Sequence, residues 1–269
     1  MPEMPEVETV VRSLRRHLPG KRLRRAEVYD PKLNRLDTTA LAGRVVRAVV
    51  RSGKEIVVDL SRPHSPLWLC VHLRMTGSLH WSVDEGPAGQ KSARACFVFT
   101  DGNLYFLDPR RFGVIRLARR AEEIAAPGVE ILSPEFTVPR LAQLLQGGRG
   151  PLKPWLLRQD RIVGFGNIYA SEVCHRAGLD PRRPAGSLTP AEIKRLHRIT
   201  REVFTEAIRL GGTTISDFND CDGECGGYQH RLRVYEREGE RCRRRGCGGT
   251  ICRLVQAGRS TYYCPTCQR

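Results

Sequence analysis

The sequence predicts an α+β protein, with a β-rich N-terminal part, a helical part after it and a cysteine-bearing tail. Three observations predict this class. Runs of β-branched and aromatic residues, divided by turn residues, fill 21–118. Beyond about residue 120, apolar residues recur at three- and four-residue spacing instead. Four of the ten cysteines form two close pairs near the C-terminus, Cys242 with Cys247 and Cys264 with Cys267.

Residues 5–18 predict the first helix. Val7, Val10, Val11, Leu14 and Leu18 line one face, Arg12, Arg15 and Arg16 the other, and Pro19-Gly20 stops it. Strands follow at 45–50, 56–60, 67–73, 96–100, 104–107 and 114–117, with turns at Ser52-Gly53 and Asp101-Gly102. That many short antiparallel strands read as a sandwich or barrel. Residues 82–94 are polar with Gly and Pro, and read as a long loop. Residues 121–150 hold Pro127, Gly128, Pro134, Pro139 and a glycine cluster at 147–150, and read as an inter-domain linker. Short helices are expected at 154–160 and, after the Gly164-Phe165-Gly166 break, at 167–177. Thr189-Pro190-Ala191-Glu192 opens a long helix with a capping box, and Gly211-Gly212 ends it. Residues 213–228 form a loop. The expected divisions are a β-rich domain at 1–120, a linker at 121–150, a helical domain at 151–228 and a cysteine hairpin at 229–269.

Net charge is +16, from 39 Arg and six Lys against 29 acids. A GC-rich genome accounts for Arg over Lys, but not for basic over acidic. The surplus points to a polyanionic partner, most simply nucleic acid. In a chain so biased toward Arg, each of Lys21, Lys32, Lys54, Lys91, Lys153 and Lys194 carries extra weight. No apolar run approaches the ~20 residues of a membrane span. The first 20 residues carry charges throughout and lack a signal-peptide core. A cytoplasmic, bacterial-type protein is expected. Ten cysteines in that compartment argue against disulfides, and Cys70, Cys96 and Cys174 read as small core residues.

Cys242-x4-Cys247 and Cys264-x2-Cys267 are two knuckles able to aim four thiolates at one tetrahedral zinc ion, with Cys252 a competing ligand. Arg259, in Ala257-Gly258-Arg259 between them, reads as a phosphate contact at a hairpin tip. Gly164-Phe165-Gly166-Asn167 offers amides and the Asn167 side chain at a helix N-terminus, either for phosphate or as a plain cap. Lys54, after Gly53, is either a phosphate binder or a solvated edge residue. In Asp108-Pro109-Arg110-Arg111-Phe112-Gly113, Phe112 is either a base-stack wedge or core, and Arg110 faces bases or phosphate. Met75 by itself reads as core filler. At the start, Pro2 becomes a free secondary amine if Met1 is removed. Such an amine titrates near ~7.7–8.0 and can form a cationic iminium with a sugar carbon. Glu3 beside it can move protons; the other reading is that Pro2 is an ordinary second residue, with Pro5 and Glu6 merely opening a helix.

Taken in order, Met1-Pro2-Glu3, Gly53-Lys54, His72-Leu73-Arg74-Met75-Thr76-Gly77, 108–113, 164–170 (GFGNIYA), 223–230 (GECGGYQH), Arg259 and the four-cysteine tail resemble the formamidopyrimidine-DNA glycosylase family. The chain is also similar to its sister, endonuclease VIII. The resemblance spans nearly the whole chain. It implies a helix-flanked antiparallel β-sandwich, then a helical domain with a helix–two-turn–helix motif and a β-hairpin zinc finger, with DNA between the two. It implies a glycosylase and abasic-site lyase for oxidised purines, 8-oxoguanine and formamidopyrimidines, working by β,δ-elimination. Pro2 would be the nucleophile at C1′ and Glu3 the proton donor that opens the sugar. Lys54 would contact phosphate and assist β-elimination, and Arg259 would grip the phosphate and assist δ-elimination. Met75, Arg110 and Phe112 would fill the gap left by the flipped nucleotide. His72 would lie near the same track, Asn167 would bind backbone, and the 213–228 loop would cover the everted base. One structural zinc on four cysteines is implied, as is a monomer acting on double-stranded DNA with oxidised bases or abasic sites. The chain departs from the family in its x4 knuckle, in Glu55 after Lys54, and in Ser92 and Gly148 where DNA-contacting basic residues are usual. Arg94 and Arg149 stand nearby as replacements. Two other readings fit the same features: an oxidised-pyrimidine glycosylase of the endonuclease VIII kind, and a non-catalytic zinc-containing DNA-binding protein.

Overall fold

The computed structural model describes residues 2–84, 91–215 and 218–269. It divides into two compact units, 1–125 with 210–227, and 126–209 with 228–269.

In the first unit, helix α1 (Met4–His17) starts on a capping box, in which the Glu3 side chain accepts from the Glu6 amide and Glu6 from the Glu3 amide. Its apolar face, Val7, Val10, Val11 and Leu14, is buried, each such side chain contributing about 1.5–3 kcal/mol. After β1 (Leu23–Val28) and the one-turn α2 (Thr38–Leu41), seven strands follow: β2 (Ala48–Ser52), β3 (Glu55–Asp59), β4 (Trp68–His72), β5 (Ser78–Ser82), β6 (Ala93–Phe99), β7 (Asn103–Leu107) and β8 (Val114–Ala118). They form two antiparallel four-stranded sheets, β1-β6-β7-β5 and β2-β3-β4-β8. One core takes residues from both sheets and α1, among them Val49, Ile56, Leu69, Phe97 and Phe106. This is a helix-flanked sandwich.

Two of these strands lie outside the runs that the sequence marks. β1 reads LRRAEV, with Arg24 and Arg25 turned outward on an edge strand. β5 buries only Leu79 and Trp81, in alternation with polar residues. Both are too polar for an apolar run to reveal. The expected loop at 82–94 falls partly outside the described residues, and its end, Ala93-Arg94, is already strand β6.

The second unit contains the short parallel pair β9 (Val129–Glu130) and β10 (Ile162–Val163), with α3 (Val138–Leu145), α4 (Leu152–Leu156), α5 (Asn167–Ala177) and α6 (Pro190–Arg209). Its hairpin is β11 (Cys252–Gln256) and β12 (Arg259–Tyr263). The divisions differ from the sequence reading in two places. Residues 126–150 are part of this unit, because Thr137 caps α3 and Pro139 sits in its first turn, where a missing N–H costs nothing. Residues 210–227 group with the first unit, because the loop is tied to α1 and β5. Ser13 Oγ accepts from the Cys221 amide at 3.1 Å, and Cys221 O accepts from Trp81 N at 2.9 Å.

Candidate active site and zinc hairpin

Pro2 is buried immediately before α1, and Glu3 is 2 % exposed. The structure adds a residue that the sequence reading treats only as a helix opener. Glu6 Oε2 accepts from Glu3 N at 2.8 Å and its Oε1 accepts from Thr213 N at 2.7 Å. One buried carboxylate therefore fixes the Pro2-Glu3 start and the 213–228 loop together. Gly212, at φ +77°, is needed there, since a Cβ would lie 2.8 Å from Glu6 Oε1. Ser216 and Asp217 of that loop, and Met1, lie outside the described residues.

Lys54 occupies the two-residue turn between β2 and β3, where Ser52 pairs with Glu55 and Gly53 takes φ +59°. Arg51 braces the turn, donating to Gly53 O at 2.8 Å and to Glu8 of α1 at 3.1 Å. Glu55 is engaged by Arg116 in a two-pronged contact, at 2.6 and 3.1 Å. That pairing neutralises the carboxylate that follows Lys54. His72, at the end of β4, is pushed down to about 4, by burial first and then by Arg74 and Lys54. It is therefore a neutral ring at pH 7, and its Nδ1 accepts from Arg74 N at 3.1 Å.

The Met75 and Phe112 loops meet through Asp108. Its buried carboxylate accepts from Thr76 Oγ1 at 2.5 Å and from the amides of Arg110 and Gly113 at 3.3 and 2.6 Å. Met75 is 45 % exposed and Phe112 47 % exposed, so neither is core filler. Arg110 lies 4.8 Å from the Phe112 ring centre, a cation–π contact that stiffens the pair. Arg94 is mostly enclosed, its Nε donating to Asp108 O at 2.7 Å. Its guanidinium supports the 108–113 turn.

In the second unit, Asn167 is the first residue of α5, and Arg149 is exposed between α3 and α4. The sequence marks Lys153 only as one of six lysines, yet it organises this end of the unit. It is fully buried, and its Nζ donates to Asn167 Oδ1 at 2.5 Å, Ser260 O at 2.8 Å and Thr261 Oγ1 at 3.0 Å. One ammonium thus holds the Asn167 side chain and the strand that begins at Arg259. Ala257 and Gly258, at φ +47° and +73°, form the hairpin turn that leaves Arg259 exposed.

The four cysteine sulfurs all lie within 4.8 Å of one another. Cys242 and Cys267 are 3.8 Å apart, and Cys247 and Cys264 are 3.7 Å apart. A tetrahedron with Zn–S bonds of ~2.3 Å has edges near ~3.8 Å, so these residues fit one zinc ion, x4 knuckle included. Cys252 stands on β11 outside the cluster, its Sγ facing Thr250 O. Gly249 lets the knuckle close, since a Cβ there would lie 2.9 Å from Cys264 Sγ. The ion fastens a tail that has few apolar residues of its own.

Three family models cover most of the chain: the formamidopyrimidine-DNA glycosylase N-terminal domain at 1–115, the formamidopyrimidine-DNA glycosylase H2TH domain at 128–219, and the zinc finger found in FPG and IleRS at 239–269. The formamidopyrimidine-DNA glycosylase of Ruegeria pomeroyi is 41% identical, over all of both chains. Among solved structures, the MutM (FPG) protein of Thermus thermophilus is 42% identical with a TM-score of 0.88, covering 99% of this chain and 98% of that one. The Lactococcus lactis Fpg bound to abasic-site DNA is 30% identical with a TM-score of 0.88, covering all of both chains. With its sandwich, helical unit and four-cysteine hairpin matched from end to end, the chain belongs to the formamidopyrimidine-DNA glycosylase family.

Proposed function

We propose that this chain is a bifunctional glycosylase and abasic-site lyase of base-excision repair, with Pro2 as its nucleophile. The observation that carries the reading is the intact Pro2-Glu3 start, held by Glu6 against the 213–228 loop, in a chain of this family. The Pro2 nitrogen adds to C1′ of the damaged nucleotide and the base leaves. Glu3 delivers a proton to the ring oxygen as the sugar opens. The resulting iminium draws electrons and acidifies the C2′ hydrogen, so the 3′ phosphate departs by β-elimination, and the 5′ phosphate follows by δ-elimination. Lys54 and Arg259 are the cations assigned to those phosphates, and Asn167 and Arg149 are assigned to the backbone. Met75, Arg110 and Phe112 fill the space that the flipped nucleotide vacates, which lowers the cost of extrusion. Neutral His72 and enclosed Arg94 support these loops by hydrogen bonding. The zinc ion holds the hairpin and enters no step.

Oxidised purines are the assigned substrates, because Met4-Pro5-Glu6-Val7-Glu8 and the 223–230 segment resemble the purine-repair member of the family more than endonuclease VIII. One observation favours breadth: the Lactococcus lactis Fpg has also been solved with DNA containing an oxidised pyrimidine. The partner is double-stranded DNA, met as a monomer in the cytoplasm. The positive charge of the chain supports that partner. Among the described residues no helix is long and apolar enough to cross a membrane.

Borohydride trapping on an 8-oxoguanine duplex, with a thymine-glycol duplex in parallel, tests the reading. Wild type, with Met1 shown by intact mass to be absent, gives a covalent complex; Pro2→Gly, which leaves only a primary α-amine, gives far less, and so does Glu3→Gln. No trapped complex from the mature wild type would sink the enzyme reading and leave a DNA-binding protein.

A further inference from the structure

His175, in the last turn of α5, has no part in the proposed chemistry, and the structure buries it completely. Its Nε2 lies 3.3 Å from Cys242 Sγ and 3.9 Å from Cys267 Sγ. Its Nδ1 is buried without a hydrogen-bond partner. A neutral imidazole carries one proton, on one nitrogen or the other. A proton on Nδ1 would be a buried unsatisfied donor, and the Nε2 lone pair would face sulfurs that are thiolates once zinc is bound. A proton on Nε2 removes both conflicts: it donates to sulfur and leaves only an acceptor unpaired, the less costly orphan.

The long first knuckle belongs to the same arrangement. Arg244, inside Cys242-x4-Cys247, reaches the C-terminal end of α5 and donates to the carbonyls of His175 and Arg176. So the residues inside the knuckle cap the helix, while the helix returns a ring to the knuckle. We propose that His175 carries its proton on Nε2 and donates it to the zinc-bound Cys242 thiolate, locking α5 to the zinc hairpin. The proposal rests on the four-cysteine zinc reading. Helix α5 is then held to the hairpin at both ends: Lys153 joins Asn167 to Ser260 and Thr261 at one, and His175 joins Cys242 at the other. The N–H···S bond also withdraws charge from the thiolate, which makes it a poorer nucleophile toward oxidants and alkylating agents.

The test uses zinc-loaded wild type, His175→Phe, which removes the donor, and His175→Gln, which restores an N–H. Elemental analysis should find one zinc per chain in all three. Zinc release to a chromophoric chelator under N-ethylmaleimide is then followed. Phe should release zinc roughly 10-fold faster or more, and Gln should stay near wild type. Equal rates in wild type and Phe at full zinc content would overturn the proposal. A wild type without zinc would overturn the zinc reading instead. If Phe fails to fold, the cadmium-113 form of the wild type decides by NMR. Coupling between the metal and the His175 Nε2 proton supports the bond, and a proton found on Nδ1 refutes it.

Discussion

Lys153→Met replaces a fully buried ammonium by an apolar chain of similar length. Three hydrogen bonds are lost, to Asn167 Oδ1, Ser260 O and Thr261 Oγ1. Bonds to a charged donor contribute about 1.5–3 kcal/mol each. Removing the ammonium also returns its desolvation cost, which brings the net loss to about 3 kcal/mol. For a chain of this size that lowers the thermal midpoint by roughly 6–12 °C. The Asn167 side chain and the strand after Arg259 are freed together, so affinity for an abasic-analogue duplex should fall about tenfold, or about 1.4 kcal/mol. Differential scanning calorimetry reads the first effect and fluorescence anisotropy at fixed salt reads the second. Thr261→Val removes one of these bonds and should cost about a third as much as Lys153→Met, about 1 kcal/mol. A Lys153→Met protein that melts and binds like wild type would refute the reasoning. So would one that loses stability but binds DNA unchanged, because the ammonium would then hold the fold and not the DNA-facing groups.

Removing zinc with a strong chelator should unfold the hairpin and abolish DNA binding, followed by anisotropy and restored by added zinc; binding that persists with zinc shown to be absent would contradict the structural role. Gly212→Ala puts a Cβ 2.8 Å from Glu6 Oε1 at φ +77° and should cost about 1–3 kcal/mol. Loosening the Glu6–Thr213 link should also slow borohydride trapping, and an unchanged trapping rate would show that the link is not used. Glu192 is held down to about 2, chiefly by Arg183, which donates to it at 2.6 and 3.0 Å. A carboxylate lowered on folding stabilises fully above its ordinary value near 4.5, and that contribution fades as pH falls toward about 2. Urea melts of Glu192→Gln should therefore be weaker than wild type at pH 6 and converge with it near the acid end. Parallel curves across that range would count against the pairing.

What the sequence discloses depends on how far apart the interacting residues lie. The zinc ligands form two knuckles, each within six residues, so their spacing alone announces a tetrahedral site. The α6 cap is likewise local: Thr189 N donates to Glu192 at 2.8 Å and Glu192 N to Thr189 at 3.3 Å, as the capping box predicts. Glu6 differs. Its second partner, Thr213, is 207 positions away, and nothing around either residue advertises the other. Lys153 reaches Ser260 across 107 positions, and His175 reaches Cys242 across 67. A buried polar group must find a partner, or its desolvation destabilises the fold. Such residues therefore mark where separate segments are fastened. One compositional signal does reach them: in a chain with 39 Arg, a retained Lys is worth inspecting, and Lys153 is one of six. The compact ammonium meets three oxygens that converge on one point, where a planar guanidinium would need a wider, flatter site. The residues proposed to react are legible through the family resemblance of the short motifs that hold them; the side chains that position those motifs are not, because their partners are distant in sequence. Substitutions at Glu6 or Lys153 should accordingly impair function, although no proposed catalytic or metal-ligating side chain is touched.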